Sequence, residues 1–118
     1  MAVIGLTVAC AACANANMKV KEYKASMASP ENAMAAKVFI QGLGEGIGLA
    51  NVAIARTGQK ALYCQPTTTA LDRDQFVALL DKQIKALTPG GPDPQLDDFD
   101  VALLLLQGLK EAFPCAKK

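Results

Sequence analysis

"FIQGLGEGIGLANVAIA", residues Phe39–Ala55, sets glycine at every second position across Gly42, Gly44, Gly46 and Gly48. Such a run could be a phosphate-cradling loop, a membrane span or an unusual helix, and the choice decides the fold. A dinucleotide loop needs a third glycine three residues after the second. Counting from Gly42 that place is Ile47, from Gly44 it is Leu49, and from Gly46 it is Asn51; no GK[ST] follows either. A span fails on polarity, because Lys37, Gln41, Glu45 and Asn51 interrupt the apolar stretch. A central charge alone costs about 2.5–3.5 kcal/mol on insertion scales.

The helix survives. At 100° per residue, Lys37, Gln41, Gly44, Glu45, Gly48, Asn51 and Arg56 share a polar face. Phe39, Ile40, Leu43, Ile47, Ala50 and Ile54 share the opposite one. Between them Ala35, Gly42, Gly46 and Ala53 form a smooth edge of small residues. Interior glycines cost about 1 kcal/mol each relative to alanine, so close approach of another helix is expected along that edge. That helix belongs either to the same chain or to a second copy in a homodimer.

Working outward, Ser29-Pro30-Glu31 starts this helix: an N-cap serine, proline at the first turn, and an acid at the positive end of the dipole. The helix can run to about Arg56, with Gly58 as its stop. Before it, Val20, Tyr23 and Met27 fall on one face of a short helix. After it, Asp72 with Gln75 reads as a capping box opening a helix whose stripe is Phe76, Leu79, Leu80, Ile84 and Leu87. A last helix starts near Asp97 or Asp98, acidic in its first turn; "VALLLLQGL", Val101–Leu109, is apolar almost all round and should be central. Pro114 ends it. "KALYC", Lys60–Cys64, is the only strand candidate, and Thr67–Thr69 reads as a turn. The expectation is all-α: a compact bundle of about four helices, one long and glycine-rich.

Length and composition fit one small domain. The chain has 118 residues, a net charge of +1 with no basic patch, and no histidine. Nucleic-acid binding is therefore not expected, and no His-based nucleophilic mechanism is available. Ser26 and Ser29 are the only serines and have no activating partner. Asp97, Asp98 and Asp100 lack the D-x-D-x-D-G pattern of a calcium loop and read as complement to a helix dipole. Glu45, a carboxylate amid glycines, reads as a solvated partner of Gln41 one turn away. No catalytic residue, metal site or cofactor is expected, and the protein is read as a binding protein, not an enzyme.

The N-terminus, "MAVIGLTVACAACANA", is apolar and ends in the A-x-A of a signal peptidase site. It lacks the usual basic residue, and a lipoprotein reading fails because no leucine stands three residues before Cys10 or Cys13. Residues 1–16 are read as a signal peptide and 17–118 as a single helical domain. Cys10 and Cys13 then leave with the signal, and Cys64 and Cys115 remain. In an exported chain they are most simply one disulfide; two buried thiols are the alternative.

"FIQGLGEGI", "LYCQP" (Leu62–Pro66) and a terminal "EAFPC" (Glu111–Cys115) resemble the Rap/Tai family, small exported helical immunity proteins of type VI secretion. The resemblance covers residues 19 to 115. It implies an all-α fold, a disulfide between Cys64 and Cys115, frequent dimerisation, and, in the periplasm of a Gram-negative bacterium, inhibition of a secreted peptidoglycan amidase toxin delivered by rival bacteria. The other expectation is a general envelope helical protein, stress-related or chaperone-like, with no dedicated toxin. For either partner, exposed connections are where recognition should lie. Two connections are candidates, Ala55 to Lys60 and Thr88 to Pro94; the second, Thr88, Pro89, Gly90, Gly91, Pro92, Asp93 and Pro94, is favoured, since its three prolines limit the entropy lost on docking.

Overall fold

The computed structural model describes residues 17–116; the expected signal peptide, Cys10 and Cys13 lie outside them. The chain forms α1 (Val20–Ala28), α2 (Pro30–Arg56), α3 (Arg73–Leu87), a single turn α4 (Pro94–Asp97) and α5 (Val101–Ala112). The fold is all-α, with one disulfide between Cys64 and Cys115.

The local signals act largely as the sequence implies. Pro30 opens α2 and Gly58 follows its end in the left-handed region, φ 82°. Ser29 occupies the N-cap position of α2, but its side chain makes no cap bond. The Asp72–Gln75 box is complete: Gln75 N–H donates to Asp72 Oδ1 and Asp72 N–H to Gln75 Oε1, both at 2.8 Å. Thr69 N–H closes the turn on Pro66 O at 3.0 Å. Residues 60–64 form no strand; they run as an irregular segment across α2.

The core lies where α3 and α5 cross and α2 covers them. Ile40, Phe76, Val77, Leu80, Ile84, Leu104, Leu105 and Leu109 are buried together. Gly108 permits the crossing, because a Cβ there would stand 3.2 Å from Leu79 O. Leu87 does not join the expected α3 stripe and is 51% exposed, while Val77 and Gln83 are buried instead. α5 is central on one side only, since Leu103 is 59% exposed.

The acidic run corrects a second expectation. The last helix starts at Val101 and has no acid in its first turn. Asp97, Asp98 and Asp100 instead face α1: Lys24 Nζ donates to Asp97 at 3.2 Å, Lys21 to Asp98 at 3.4 Å, and Lys19 to Asp100 at 2.6 Å. The bond to Asp100 raises the Lys19 pKa. A two-bond bridge lies beneath, with Val20 N–H donating to Phe99 O and Val101 N–H to Met18 O. Unlike charges on two amphipathic segments that meet in space satisfy each other better than a helix terminus would satisfy three acids. Below this ladder Tyr23 is buried, and its hydroxyl donates to Asp81 at 2.6 Å. Burial, then that bond, drives the Tyr23 pKa upward.

Candidate functional site

The C-terminal half of α2 forms one wall of an open groove of about 910 Å³. The segment from Ala61 to Leu71 forms the other, and Phe76 of α3 closes the floor. Two devices hold the second wall in place. One is covalent: Cys64 is bonded to Cys115, and Cys64 N–H donates to Phe113 O at 2.8 Å. The other is Asn51, whose Nδ2 donates to Tyr63 O at 2.8 Å while its Oδ1 accepts from Leu62 N–H at 2.6 Å. One side-chain amide thus satisfies a donor and an acceptor of a segment that belongs to no ladder.

Asn51 is buried, and so is Gly44. Both were expected on a solvated polar face. The difference follows from what α2 packs against. A Cβ on Gly44 would lie 2.4 Å from the Phe76 ring, so the glycine is the socket for that ring. A Cβ on Gly48 would meet the Tyr63 hydroxyl at 3.4 Å. Tyr63 itself is buried, which raises its pKa.

The expected helix-packing edge is therefore not the one used inside the chain. A Cβ on Gly42 or on Gly46 would have nothing within 4 Å among the described residues, and Ala35 and Ala53 are exposed. The inner face of α2 is centred on Ala36, Ile40, Gly44 and Asn51 instead. Glu45 behaves as expected, accepting from Gln41 Nε2 at 3.3 Å on the surface. α2 is also the one described helix long and apolar enough to cross a membrane, with a mean hydropathy of 1.4 over its best window.

The Thr88–Pro94 segment leaves the opposite end of α3 from the groove and is largely exposed. It is internally braced: Thr88 Oγ1 donates to Ile84 O at 2.7 Å, Gly91 N–H to Thr88 O at 3.1 Å, and Asp93 Oδ1 accepts from Gln95 N–H at 2.9 Å. Gly91, at φ 104°, makes its bend.

No group of three or more His, Cys, Asp or Glu that could hold a metal stands among the described residues. The fold and its surfaces define a disulfide-stapled helical protein with a braced exposed loop, an open groove and an apolar helix face that no described residue covers. No family model, curated protein or solved structure matches the chain.

Proposed function

We propose that this chain is a periplasmic immunity-type protein that inhibits a peptidoglycan amidase effector of type VI secretion by non-catalytic association. The observation that carries the reading is a convergence. Three separated stretches resemble the Rap/Tai family; two of them are joined directly, and the helix that carries the third reaches the same corner just beyond it. Leu62–Pro66 is bonded to Glu111–Cys115 through Cys64–Cys115 and the Cys64–Phe113 hydrogen bond. The glycine-rich helix reaches the same corner through Asn51 and through Gly48 beside Tyr63. A disulfide also suits an oxidising compartment.

The inhibitory surface in this reading includes Thr88–Pro94. The segment is exposed, braced and free of bulky side chains, so it suits a narrow peptidase cleft. Leu87, half exposed just before it, supplies an apolar anchor. The uncovered apolar face of α2 favours a second reading, an envelope protein that shields apolar segments of other proteins.

The test is inhibition of purified type VI amidases, beginning with any encoded beside this gene. The expected result is stoichiometric loss of peptidoglycan hydrolysis by one amidase, weakened when residues 88–94 become a Gly-Ser linker of equal length. No inhibition and no complex with any amidase, alongside general suppression of client aggregation, would establish the second reading.

A further inference from the structure

One stripe of α2 runs along the open groove. Glu45, Leu49, Val52 and Arg56 stand four, three and four residues apart, so they share one side of the helix. All four line the groove. Leu49 is 74% exposed and Val52 47%, so the middle of the stripe is apolar and open to an occupant. Its ends carry opposite charges. Glu45 and Arg56 are the only charged side chains on the lining, and neither enters an ion pair among the described residues. The facing wall carries polar groups. The Thr67 and Thr69 hydroxyls make no hydrogen bond among the described residues, and Gln65 uses only its Nε2, which donates to Thr69 O at 2.7 Å.

We propose that this groove holds an extended peptide segment, with a basic group at the Glu45 end, an acidic group at the Arg56 end and apolar side chains between them. Glu45 and Arg56 are eleven residues apart. On a helix that separation is about 16 Å, the length of about five extended residues.

The chemistry of the lining selects that occupant. A peptide can bring charges to both ends, whereas a fatty acid or a lipid headgroup carries its charge at one end. Its backbone N–H and C=O groups give partners to the threonine hydroxyls and to Gln65 Oε1, which an acyl chain would leave bare. Its apolar side chains cover Leu49 and Val52. The wall is also set before a ligand arrives, because the Cys64–Cys115 bond and the Asn51 amide already hold it. Little ordering is then lost on docking. The inference does not rest on the amidase reading, because the groove and Thr88–Pro94 lie toward opposite ends of α3.

Selection of capped, bead-bound peptides of five to seven residues by the purified protein tests it. Four pools share random interiors of apolar residues and threonine and differ only at their ends: Lys and Glu, Glu and Lys, Lys and Lys, or Glu and Glu. The wild type is expected to retain the two opposite-charge pools about tenfold or more over the like-charge pools. E45K should move the preference to the Glu-and-Glu pool, and R56E to the Lys-and-Lys pool. Both positions are exposed, so circular dichroism of the two variants should match the wild type. Retention of no pool, equal retention of all four, or a preference that neither substitution moves overturns the proposal. So does uptake of cis-parinaric acid that R56E abolishes and E45K leaves unchanged, with no pool retained, since the groove would then take anionic amphiphiles.

Discussion

Gly44 and Gly48 look like Gly42 and Gly46 on paper, yet the two pairs occupy opposite faces of α2. The inner pair receives aromatic rings: Phe76 seats against Gly44, and the Tyr63 hydroxyl approaches Gly48. The outer pair receives nothing from the described residues. A glycine that admits a ring and a glycine that faces solvent have the same helix propensity and the same local sequence. Their different roles come entirely from the element lying across them. On the inner face that element is α3 and the Ala61–Leu71 segment; on the outer face no described residue lies across the glycines.

The inner face can be broken in three ways, in decreasing order of effect. Replacing Cys64 and Cys115 by serine releases the segment that covers it. For a bridge spanning 51 residues of sequence the chain-entropy picture gives a loss of about 4 kcal/mol. Denaturant melts of oxidised wild type against C64S/C115S measure it, and equal midpoints would show the staple to be dispensable. G44L drives a branched side chain into the Phe76 ring, an overpacking that costs about 3 kcal/mol. G42L in a dilute sample should cost nothing comparable, so similar losses from the two would erase the distinction between the faces. N51A leaves Tyr63 O and Leu62 N–H without their partner, at about 2 kcal/mol. Faster hydrogen exchange confined to residues 61–65 would accompany it.

Two smaller effects sharpen the comparison. G42A and G46A, measured where the chain is monomeric, should each stabilise by about 1 kcal/mol through helix propensity. A fall in melting temperature at low concentration would mean that the outer face already packs against something in the monomer. K24A removes one half-exposed rung of the α1 ladder and should cost at most about 1 kcal/mol. Its loss should shrink further in high salt; a larger, salt-independent loss would mean that α1 depends on that pair and not on buried Val20 and Tyr23.

The signals that could be read without coordinates were those whose partners lie a few residues away. Proline at the start of α2, the Asp72–Gln75 box and the Gly58 stop each act over one turn. Each places a helix end correctly. The Cys64–Cys115 bond was legible only through the expectation that residues 1–16 are a signal peptide, whose removal would leave these two cysteines. What misled was polarity taken at face value. Asn51 looks like a surface residue on a helical wheel, but it lies buried as a clamp on an irregular segment, holding Tyr63 O and Leu62 N–H. Its only sequence signal is an amide-bearing side chain one turn from the smallest residues of the helix, opposite an irregular stretch. Asp97, Asp98 and Asp100 looked like complements of a dipole, and pair instead with lysines more than 70 residues away.

The sequence by itself therefore determined the helical class, both ends of α2, the start of α3 and the rigidity of the Thr88–Pro94 connection, and it made the Cys64–Cys115 staple the simplest pairing. These depend on backbone preferences and on covalent chemistry, which act locally or admit one solution. The tertiary structure alone decided which face of α2 points inward. A helix with glycine at alternate positions presents small residues all round, so its hydrophobic pattern leaves its rotation about its own axis loosely specified. That rotation was settled by shape: Phe76 fits only where a side chain is missing, and Gly44 is the glycine that α3 meets.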